Sequence, residues 1–369
     1  MQFLPPPVAP KGRGTIWAIE HRFTTQHHQA EDDGWGALDQ AAEEASVSPC
    51  TQVIEQQVKS ILAGNDSPDI PFDLSINPYR GCEHGCIYCF ARPTHSYLNL
   101  SPGLDFETKI VAKVNAPERL REAFSARSYQ PLPLNVGSAT DAYQPAERRL
   151  GITRRLIEVL AEFQHAFSII TKSSGVERDI DLLAPLASEK LAAVYVSIPT
   201  LDPSLARIME PRATAPERRL RTVERLAQAG IPVGVSIAPV IPFLNEPELE
   251  HLLARARDAG ATSAFSSVLR LPWEVNPLFQ QWLQTHYPER AERVMARVRE
   301  MRGGRDYDSN FSQRMHGSGI WATLLSRRFE VATQRLGLNR EKLVLDLSRF
   351  RRPTAERAEV PAPAQRPLF

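Results

Sequence analysis

The sequence is poor in cysteine and has no long apolar run. Only four cysteines occur among 369 residues, which excludes a small scaffold held together by disulfides. No segment reaches the roughly 18 consecutive apolar residues that a membrane-spanning helix needs. Residues 1–14 also lack the apolar centre of a secretory signal peptide. These absences predict a cytoplasmic protein that does not enter a membrane.

Net charge is nearly absent as well, since 44 Lys and Arg against 43 Asp and Glu leave +1. The balance hides a local excess, because residues 286–352 carry fifteen Arg or Lys and only eight Asp or Glu. Two interpretations fit this region: a solvated helical face with ordinary ion pairs, or a surface that binds phosphate groups. From the sequence we favour the ion-paired face.

Short apolar runs alternate with amphipathic stretches through the middle of the chain. Six runs have the length and composition of buried strands: residues 72–77, 132–138, 167–173, 192–200, 232–241 and 263–272. Strands separated by helices pair in parallel through right-handed crossovers. The pattern therefore predicts an α/β fold, either a partial (β/α)6 barrel or an open doubly wound sheet, with its site at the carboxyl ends of the strands.

Proline and glycine mark the ends of the intervening helices. Pro145, Pro216 and Pro247 stand at predicted first turns, where a missing N–H costs nothing. Gly230 and Gly260 follow predicted last turns, where the left-handed conformation suits glycine. Each of these helices is expected to end just before a strand.

The composition changes at both ends of the chain. The first fifty residues and the last seventeen mix Pro, charged and small residues without sustained periodicity, which is typical of extensions and disordered tails. We therefore divide the chain into an N-terminal extension (1–69), a barrel (70–275), a helical C-terminal extension (276–352) and a disordered tail (353–369).

Three of the four cysteines form one compact motif. Cys82, Cys86 and Cys89 follow the spacing Cys-x3-Cys-x2-Cys within NPYRGCEHGCIYCFARPTH, just after the first predicted strand. A structural zinc site needs a fourth ligand, for which only His84 or the distant Cys50 is available. Three thiolates on one loop suit an iron-sulfur cluster whose fourth iron stays open to another ligand.

The motif in this setting resembles the radical S-adenosylmethionine (radical SAM) superfamily over residues 70–275. Further segments resemble its branch related to spore photoproduct lyase: GSATDAYQPAE at 137–147, ITKSS at 170–174, SIPTLDP at 197–203, MEPRA at 209–213 and APVIPFLN at 238–245. The resemblance implies a partial (β/α)6 radical SAM barrel and two cofactors, a [4Fe-4S] cluster and S-adenosylmethionine.

The resemblance also implies roles for individual residues. Cys82, Cys86 and Cys89 would be the metal ligands. The residues implied for S-adenosylmethionine end the second, third and fourth strands: Gly137, Ser138, Thr140, Asp141, Lys172 and Ser197. Asp141 would accept from the methionine ammonium group, Lys172 would pair with the carboxylate, and Ser197 would bond a ribose hydroxyl. Each has a structural alternative: a turn for Asp141, a surface lysine for Lys172 and a satisfied strand hydroxyl for Ser197.

Other residues near the motif have two interpretations each. Tyr88 and Tyr143 are candidates for relaying a hydrogen atom during catalysis, although buried tyrosines more often belong to the core. Arg92 either holds the loop by bonding its carbonyls or meets an anionic substrate. Glu210 either forms a buried ion pair or contacts substrate.

The implied function is that of an enzyme with lyase-like or transferase-like chemistry. It would cleave S-adenosylmethionine reductively to a 5'-deoxyadenosyl radical, which abstracts hydrogen from a substrate, preferably nucleic acid or a nucleotide-like molecule. Its partner would be a one-electron reductant such as flavodoxin or ferredoxin.

The chain departs from the lyase pattern at two points. No cysteine follows Cys89, and Phe90 stands where the lyase has a tyrosine, so we do not expect repair of the spore photoproduct itself. Two alternatives stay open. One is a radical SAM enzyme that acts on a protein or small metabolite, and the other is a non-catalytic, metal-stabilised protein that binds nucleic acid.

Overall fold

A computed structural model describes residues 12–15, 19–24 and 50–353 of the chain. Ten strands occur in these residues: β1 Gln52–Gln56, β2 Leu62–Gly64, β3 Leu74–Ile76, β4 Tyr79–Arg80, β5 Lys109–Lys113, β6 Leu134–Val136, β7 Phe167–Thr171, β8 Ala192–Ser197, β9 Val233–Val240 and β10 Ser263–Val268. They form one large and one small sheet.

The large sheet contains the six predicted strands. Its order is β10-β9-β8-β7-β6-β3-β2, and all neighbours from β3 to β10 pair in parallel. β2 joins β3 antiparallel at one edge. The prediction of six parallel strands in an α/β fold is therefore confirmed, and the carboxyl ends of these strands share one edge of the molecule.

Eleven α-helices lie in the described part of the chain: α1 Leu104–Thr108, α2 Ala116–Ser125, α3 Glu147–Leu150, α4 Ile152–Glu162, α5 Ile180–Ser188, α6 Pro203–Met209, α7 Pro216–Gln228, α8 Leu249–Asp258, α9 Val275–His286, α10 Pro288–Glu300 and α11 Gly319–Leu336. Short 3-10 helices occupy Arg92–Leu98, Ser174–Asp179, Glu246–Glu248 and Leu347–Arg349.

Two of the three helix starts follow the proline prediction. Pro216 is the first residue of α7, and Pro247 lies in the 3-10 turn that leads into α8. The start predicted at Pro145 is wrong, because the apolar periodicity belongs to α4, which begins at Ile152. Gly151, in the left-handed conformation with φ 61°, separates α4 from the short α3.

The C-terminal region is helical, and two of its helices contribute to the core around the cysteine motif. Ile87 and Tyr88 are buried in one apolar cluster with residues of α9 and α10, among them Phe279 and Trp282. The indole N–H of Trp282 donates to the carbonyl oxygen of Ile208 at 3.0 Å. The helices that follow the sheet therefore pack directly against the cysteine motif.

The small sheet has the order β1-β5-β4, with β5 parallel to β1 and antiparallel to β4. Residues 13–15 of the N-terminal extension are buried. The tail predicted to be disordered, residues 353–369, lies outside the described residues apart from Pro353. In the residues that the structure describes, no helix is both long and apolar enough to cross a membrane.

Candidate active site

The three clustered cysteines lie on one loop, residues 81–91, which follows β3 and β4 and is called the cysteine loop below. Cys82 and Cys86 are buried, Cys89 is half-buried, and none forms a disulfide. The N–H of Cys82 donates to the carbonyl oxygen of Phe106 at 2.9 Å. Gly81 has φ 77°, and a Cβ there would lie 2.9 Å from the same carbonyl oxygen, so this turn requires glycine.

The electrostatic setting of the thiols suits a metal cofactor. Burial raises the pKa of Cys82 and of Cys86, and the carboxylates of Asp141 and Glu210 raise them further. Only a cation bound at the sulfurs can replace the protons of such thiols without leaving buried negative charge. Three free thiols on one loop are the kind of donor set that iron-sulfur clusters use in proteins. Nowhere in residues 12–15, 19–24 and 50–353 do three Cys, His, Asp or Glu side chains form a group able to hold a single metal ion.

Arg92 holds the cysteine loop from inside the protein. Its side chain is fully buried, its Nε donates to the carbonyl oxygen of Cys86 at 2.9 Å, and Nη2 donates to that of Gly85 at 3.2 Å. Nη2 also pairs with the buried carboxylate of Glu107 at 2.5 Å. Of the two interpretations of Arg92, the structural one is confirmed.

A buried polar network adjoins Cys86. The hydroxyl of Tyr88 donates to Oε1 of Glu210, Arg219 pairs with Oε2, and Sγ of Cys86 lies 4.0 Å from Oε1. Burial alone would raise the pKa of Glu210, but the charges of Arg219 and Lys172 outweigh burial and hold it below its usual value. Glu210 is thus an ionised member of a buried ion pair, which was one of its two predicted roles.

Asp141 accepts hydrogen bonds from several protein groups. Oδ1 accepts from the hydroxyl of Thr171 at 2.7 Å and from the N–H of Tyr143 at 2.9 Å, and Oδ2 accepts from the N–H of Lys172 at 2.7 Å. Nδ1 of His84 lies 3.3 Å from Oδ2. Burial would raise the pKa of Asp141, but His84 and these donors lower it well below the usual range. The turn role of Asp141 is therefore present in the structure.

Asn77 organises the neighbouring residues and was missed in the sequence. Its Oδ1 accepts from the N–H groups of Ala139 and Thr140 at 2.8 and 3.3 Å, and its Nδ2 donates to Oγ of Ser138 at 3.2 Å. The hydroxyl of Thr140 donates to the carbonyl oxygen of Tyr79. The only sequence signal was the position of Asn77 at the end of a predicted strand and before a proline.

Lys172 directly follows β7, and Ser197 ends β8. Nζ of Lys172 lies 5.8 Å from the centre of the Tyr88 ring. Burial would lower the pKa of this lysine, but Cys86 and Glu210 outweigh burial and raise it. Ser197 is buried beside Ser236 of β9, and its carbonyl oxygen accepts from Arg219 at 2.8 Å. Both residues thus lie close to the network around Cys86.

Tyr143 is separated from Tyr88. Its hydroxyl donates to Oδ2 of Asp179 at 3.0 Å, and burial followed by the charge of Asp179 raises its pKa. The two tyrosines belong to different apolar clusters: Tyr143 to the one that contains the sheet strands, and Tyr88 to the one around the cysteine loop. The structure therefore does not bring the two predicted relay residues together.

Comparison with known proteins agrees with this geometry. Residues 76–256 match the sequence profile described as Radical SAM superfamily. An uncharacterized protein of Mycobacterium tuberculosis is 37% identical over 234 residues, which cover 63% of this chain and 68% of that protein. An uncharacterized protein of Methanocaldococcus jannaschii is 27% identical over 221 residues, covering 59% of this chain and 77% of that protein.

The fold is similar to that of spore photoproduct lyase. A variant of that enzyme with bound AdoMet and dinucleoside spore photoproduct has a TM-score of 0.52 and 14% identity, covering 86% of this chain and 87% of that one. The predicted radical SAM fold is thereby confirmed. The chain belongs to the radical SAM superfamily, whose members are enzymes that use a [4Fe-4S] cluster and S-adenosylmethionine.

Proposed function

We propose that Cys82, Cys86 and Cys89 hold the [4Fe-4S] cluster of this chain and that its substrate is a nucleic acid or a nucleotide-like molecule. The observation that carries the proposal is the set of three free cysteines on one loop at the carboxyl edge of the parallel sheet. A [4Fe-4S] cluster held by these cysteines would supply the electron for reductive cleavage of S-adenosylmethionine to methionine and a 5'-deoxyadenosyl radical.

The strand ends next to the cysteine loop supply the groups for S-adenosylmethionine. Gly137, Ser138, Thr140 and Asp141 would face its methionine amino group, Lys172 its carboxylate and Ser197 its ribose. The cationic Lys172 beside Tyr88 supports the carboxylate role, because a charge-assisted hydrogen bond is strong where water is excluded. Asp141 has about four acceptor sites, of which Thr171, Tyr143 and Lys172 use three, so an ammonium group would take the one on Oδ2 that His84 faces.

Exposed aromatic side chains around the cysteine loop support a substrate with bases. Phe90, Tyr97 and Trp273 are 46%, 70% and 65% exposed. The guanidinium of Arg270 lies 5.0 Å from the Phe90 ring centre, and that of Arg22 lies 4.5 Å from the Trp273 ring centre. Aromatic rings and guanidinium planes are the surfaces on which unpaired bases stack.

The basic region 286–352 gives this substrate little support. Arg314 pairs with Asp69 at 2.5 Å, and Arg328 pairs with Glu250 at 2.7 Å. The buried guanidinium of Arg302 donates to backbone carbonyl oxygens, including that of Leu269. These contacts agree with the ion-paired interpretation of the region. The exposed aromatic side chains therefore support a nucleic-acid substrate better than the basic region does.

Anaerobic reconstitution tests the proposed chemistry. Purified protein supplied with iron and sulfide should bind about four irons and, with dithionite in place of the flavodoxin or ferredoxin partner, should release 5'-deoxyadenosine from S-adenosylmethionine. Cys86→Ala should lose both properties, because two thiolates do not hold the cluster. Cys50→Ala is the matched control, since Cys50 is exposed and lies outside the loop, and it should retain both.

Two outcomes would favour the other functions. A colourless protein with one stoichiometric zinc and no affinity for S-adenosylmethionine would favour the non-catalytic, metal-stabilised protein. Cleavage of S-adenosylmethionine without any affinity for DNA or RNA would favour an enzyme that acts on a protein side chain or a small metabolite.

A further inference from the structure

The N-terminal extension contacts the cysteine loop through a buried carboxylate, that of Glu107 at the end of α1. Glu107 and Arg92 are both fully buried and form an ion pair. Arg92 also donates to the carbonyl oxygens of Pro102 and Gly103, at 3.2 and 3.0 Å, in addition to its bonds to the cysteine loop. Its orientation therefore depends on the position of Glu107.

The remaining partners of Glu107 come from far away in the chain. The N–H of Gly14 donates to Oε2 at 2.9 Å and the N–H of Thr15 donates to Oε1 at 3.1 Å. Nη1 of Arg13 donates to the carbonyl oxygen of Glu107 at 2.9 Å. A buried carboxylate is tolerated only when such donors replace its lost hydration. Residues 13–15 thus complete the environment of the ion pair.

Gly14 touches the cysteine loop itself. A Cβ at position 14 would lie 1.6 Å from the carbonyl oxygen of Gly85, which stands between Cys82 and Cys86. Gly85 has φ 66°, and a Cβ there would lie 2.7 Å from Oε2 of Glu107. Residues 13–15 and the cysteine loop therefore meet backbone to backbone, and no side chain fits between them. Residues 13–15 and 19–22 are together called the N-terminal segment below.

The same segment reaches the opposite edge of the parallel strands. The carbonyl oxygen of Ile19 accepts from the hydroxyl of Ser101 at 2.8 Å, and Arg22 pairs with Glu274 at 3.0 Å. Glu274 follows β10, whereas the cysteine loop follows β3, and these strands bound the parallel part of the sheet. Residues 13–15 and 19–22 thus contact loops at both of its edges.

We propose that the N-terminal segment, anchored on Glu107, holds the cysteine loop in its ligand geometry and shields it from solvent, with Glu107 as a positioning residue for the cluster. This inference rests on the proposed function for the identity of the cluster. Without a cluster, the same inference predicts that residues 13–15 and Glu107 control access of solvent to Cys82 and Cys86.

Alkylation of the cluster-free full chain tests this control directly. With iodoacetamide and mass spectrometry, the exposed Cys50 should react first in every variant and serves as the internal reference. Gly14→Ala should speed alkylation of Cys82 and Cys86 by at least about tenfold, because it breaks local protection without global unfolding. Gly64→Ala is the matched control, since a Cβ there meets nothing within 4 Å, and should react like the wild type.

A second variant keeps the test valid if Gly14→Ala fails to fold. Glu107→Gln retains the size of the side chain but leaves Arg92 without its counter-charge, and it should also speed alkylation of Cys82 and Cys86. Amide exchange in β9 monitors global unfolding. In the reconstituted protein, loss of this negative charge should shift the midpoint potential of the cluster to a more positive value and speed its bleaching in air. A purely structural effect of Glu107 would not shift the potential.

The outcomes separate the two proposals. If Gly14→Ala and Glu107→Gln alkylate like the wild type while the wild type cleaves S-adenosylmethionine, the positioning role is overturned and the proposed function stands. If both variants expose Cys82 and Cys86 but the wild type takes up no cluster, the proposed function fails and control of the loop by the N-terminal segment stands.

Discussion

The hydroxyl of Tyr88 donates a hydrogen bond to the carboxylate of Glu210, and this contact joins the cysteine loop to the end of α6. The same carboxylate pairs with the buried guanidinium of Arg219, which also donates to the carbonyl oxygen that ends β8. One acidic side chain therefore couples the cysteine loop to the fourth parallel strand. Its removal should affect both.

Glu210→Gln should destabilise the protein strongly. It leaves Arg219 buried without a counter-charge, which costs about 3–5 kcal/mol in comparable buried pairs. The measurement is the free energy of unfolding in urea, followed by circular dichroism on the cluster-free protein. The matched variant Tyr88→Phe keeps the ion pair and loses one hydroxyl, so it should cost only about 1–3 kcal/mol. Equal losses for the two variants would contradict the ion-pair explanation.

Gly137→Ala should weaken binding of S-adenosylmethionine and lower stability. Gly137 has φ 87°, and a Cβ there would lie 2.9 Å from the backbone oxygen of Ile170, so the loop that Asn77 organises would have to move. Gly151→Ala is the control, since Gly151 has φ 61° but open space around a Cβ. Both variants carry the left-handed strain of about 1–2 kcal/mol, and only Gly137→Ala adds the clash. Equal melting temperatures and unchanged affinity would rule out this role for Gly137.

Trp273→Ala should weaken binding of single-stranded DNA or RNA, if the exposed aromatic side chains stack bases. Loss of one stacked base costs about 1–3 kcal/mol, so the dissociation constant should rise by roughly tenfold or more, as measured by fluorescence anisotropy. Ile320→Ala, on α11, is the control because Ile320 is also a large exposed apolar residue. Binding of the wild type should also weaken as salt rises. The preference for a nucleic-acid substrate would be wrong if the affinity of the wild type did not change with salt. It would also be wrong if Trp273→Ala and Ile320→Ala bound the nucleic acid equally well.

Acid should destabilise the protein through His165. This buried residue stacks on Phe124, its Nδ1 lies 2.8 Å from the carbonyl oxygen of Ala166, and its Nε2 accepts from the Tyr129 hydroxyl. Burial lowers its pKa from 6.5 to about 4. Between these values the unfolded chain binds a proton that the folded chain does not, so stability falls as the pH falls.

The effect of His165 is measurable as a difference between two chains. From pH 7 to pH 5 the wild type should lose about 2 kcal/mol of unfolding free energy more than His165→Gln, which cannot take up the proton. Urea unfolding at several pH values measures both chains. Parallel pH profiles for the two would show that His165 is not the source.

Local patterns were enough to predict the parallel strands, and the ligand role of the three clustered cysteines stays a prediction. The spacing of the cysteines is a local property of the sequence. Apolar runs that alternate with amphipathic helical stretches likewise predict parallel strands from local sequence alone. The start predicted at Pro145 was wrong for a related reason, since both a helix start and a turn accept proline, and the left-handed Gly151 decided between them. The same reasoning could not show that Oδ1 of Asp141 accepts from Tyr143 in the turn and from Thr171 of β7, while Oδ2 accepts from Lys172.

The cysteine motif, the strands of the parallel α/β fold and the family could be predicted from the sequence, because each is encoded by residues close together in the chain. Which charged groups meet depends on the tertiary structure. Glu107 receives Gly14 from 93 residues away, and Tyr88 reaches Glu210 across 122 residues. Pairs so far apart in the chain produce no local pattern in the sequence. The sequence also does not show whether a charged residue will be buried or will stay in water. Folding selects the partners because an unpaired buried charge is too costly to keep.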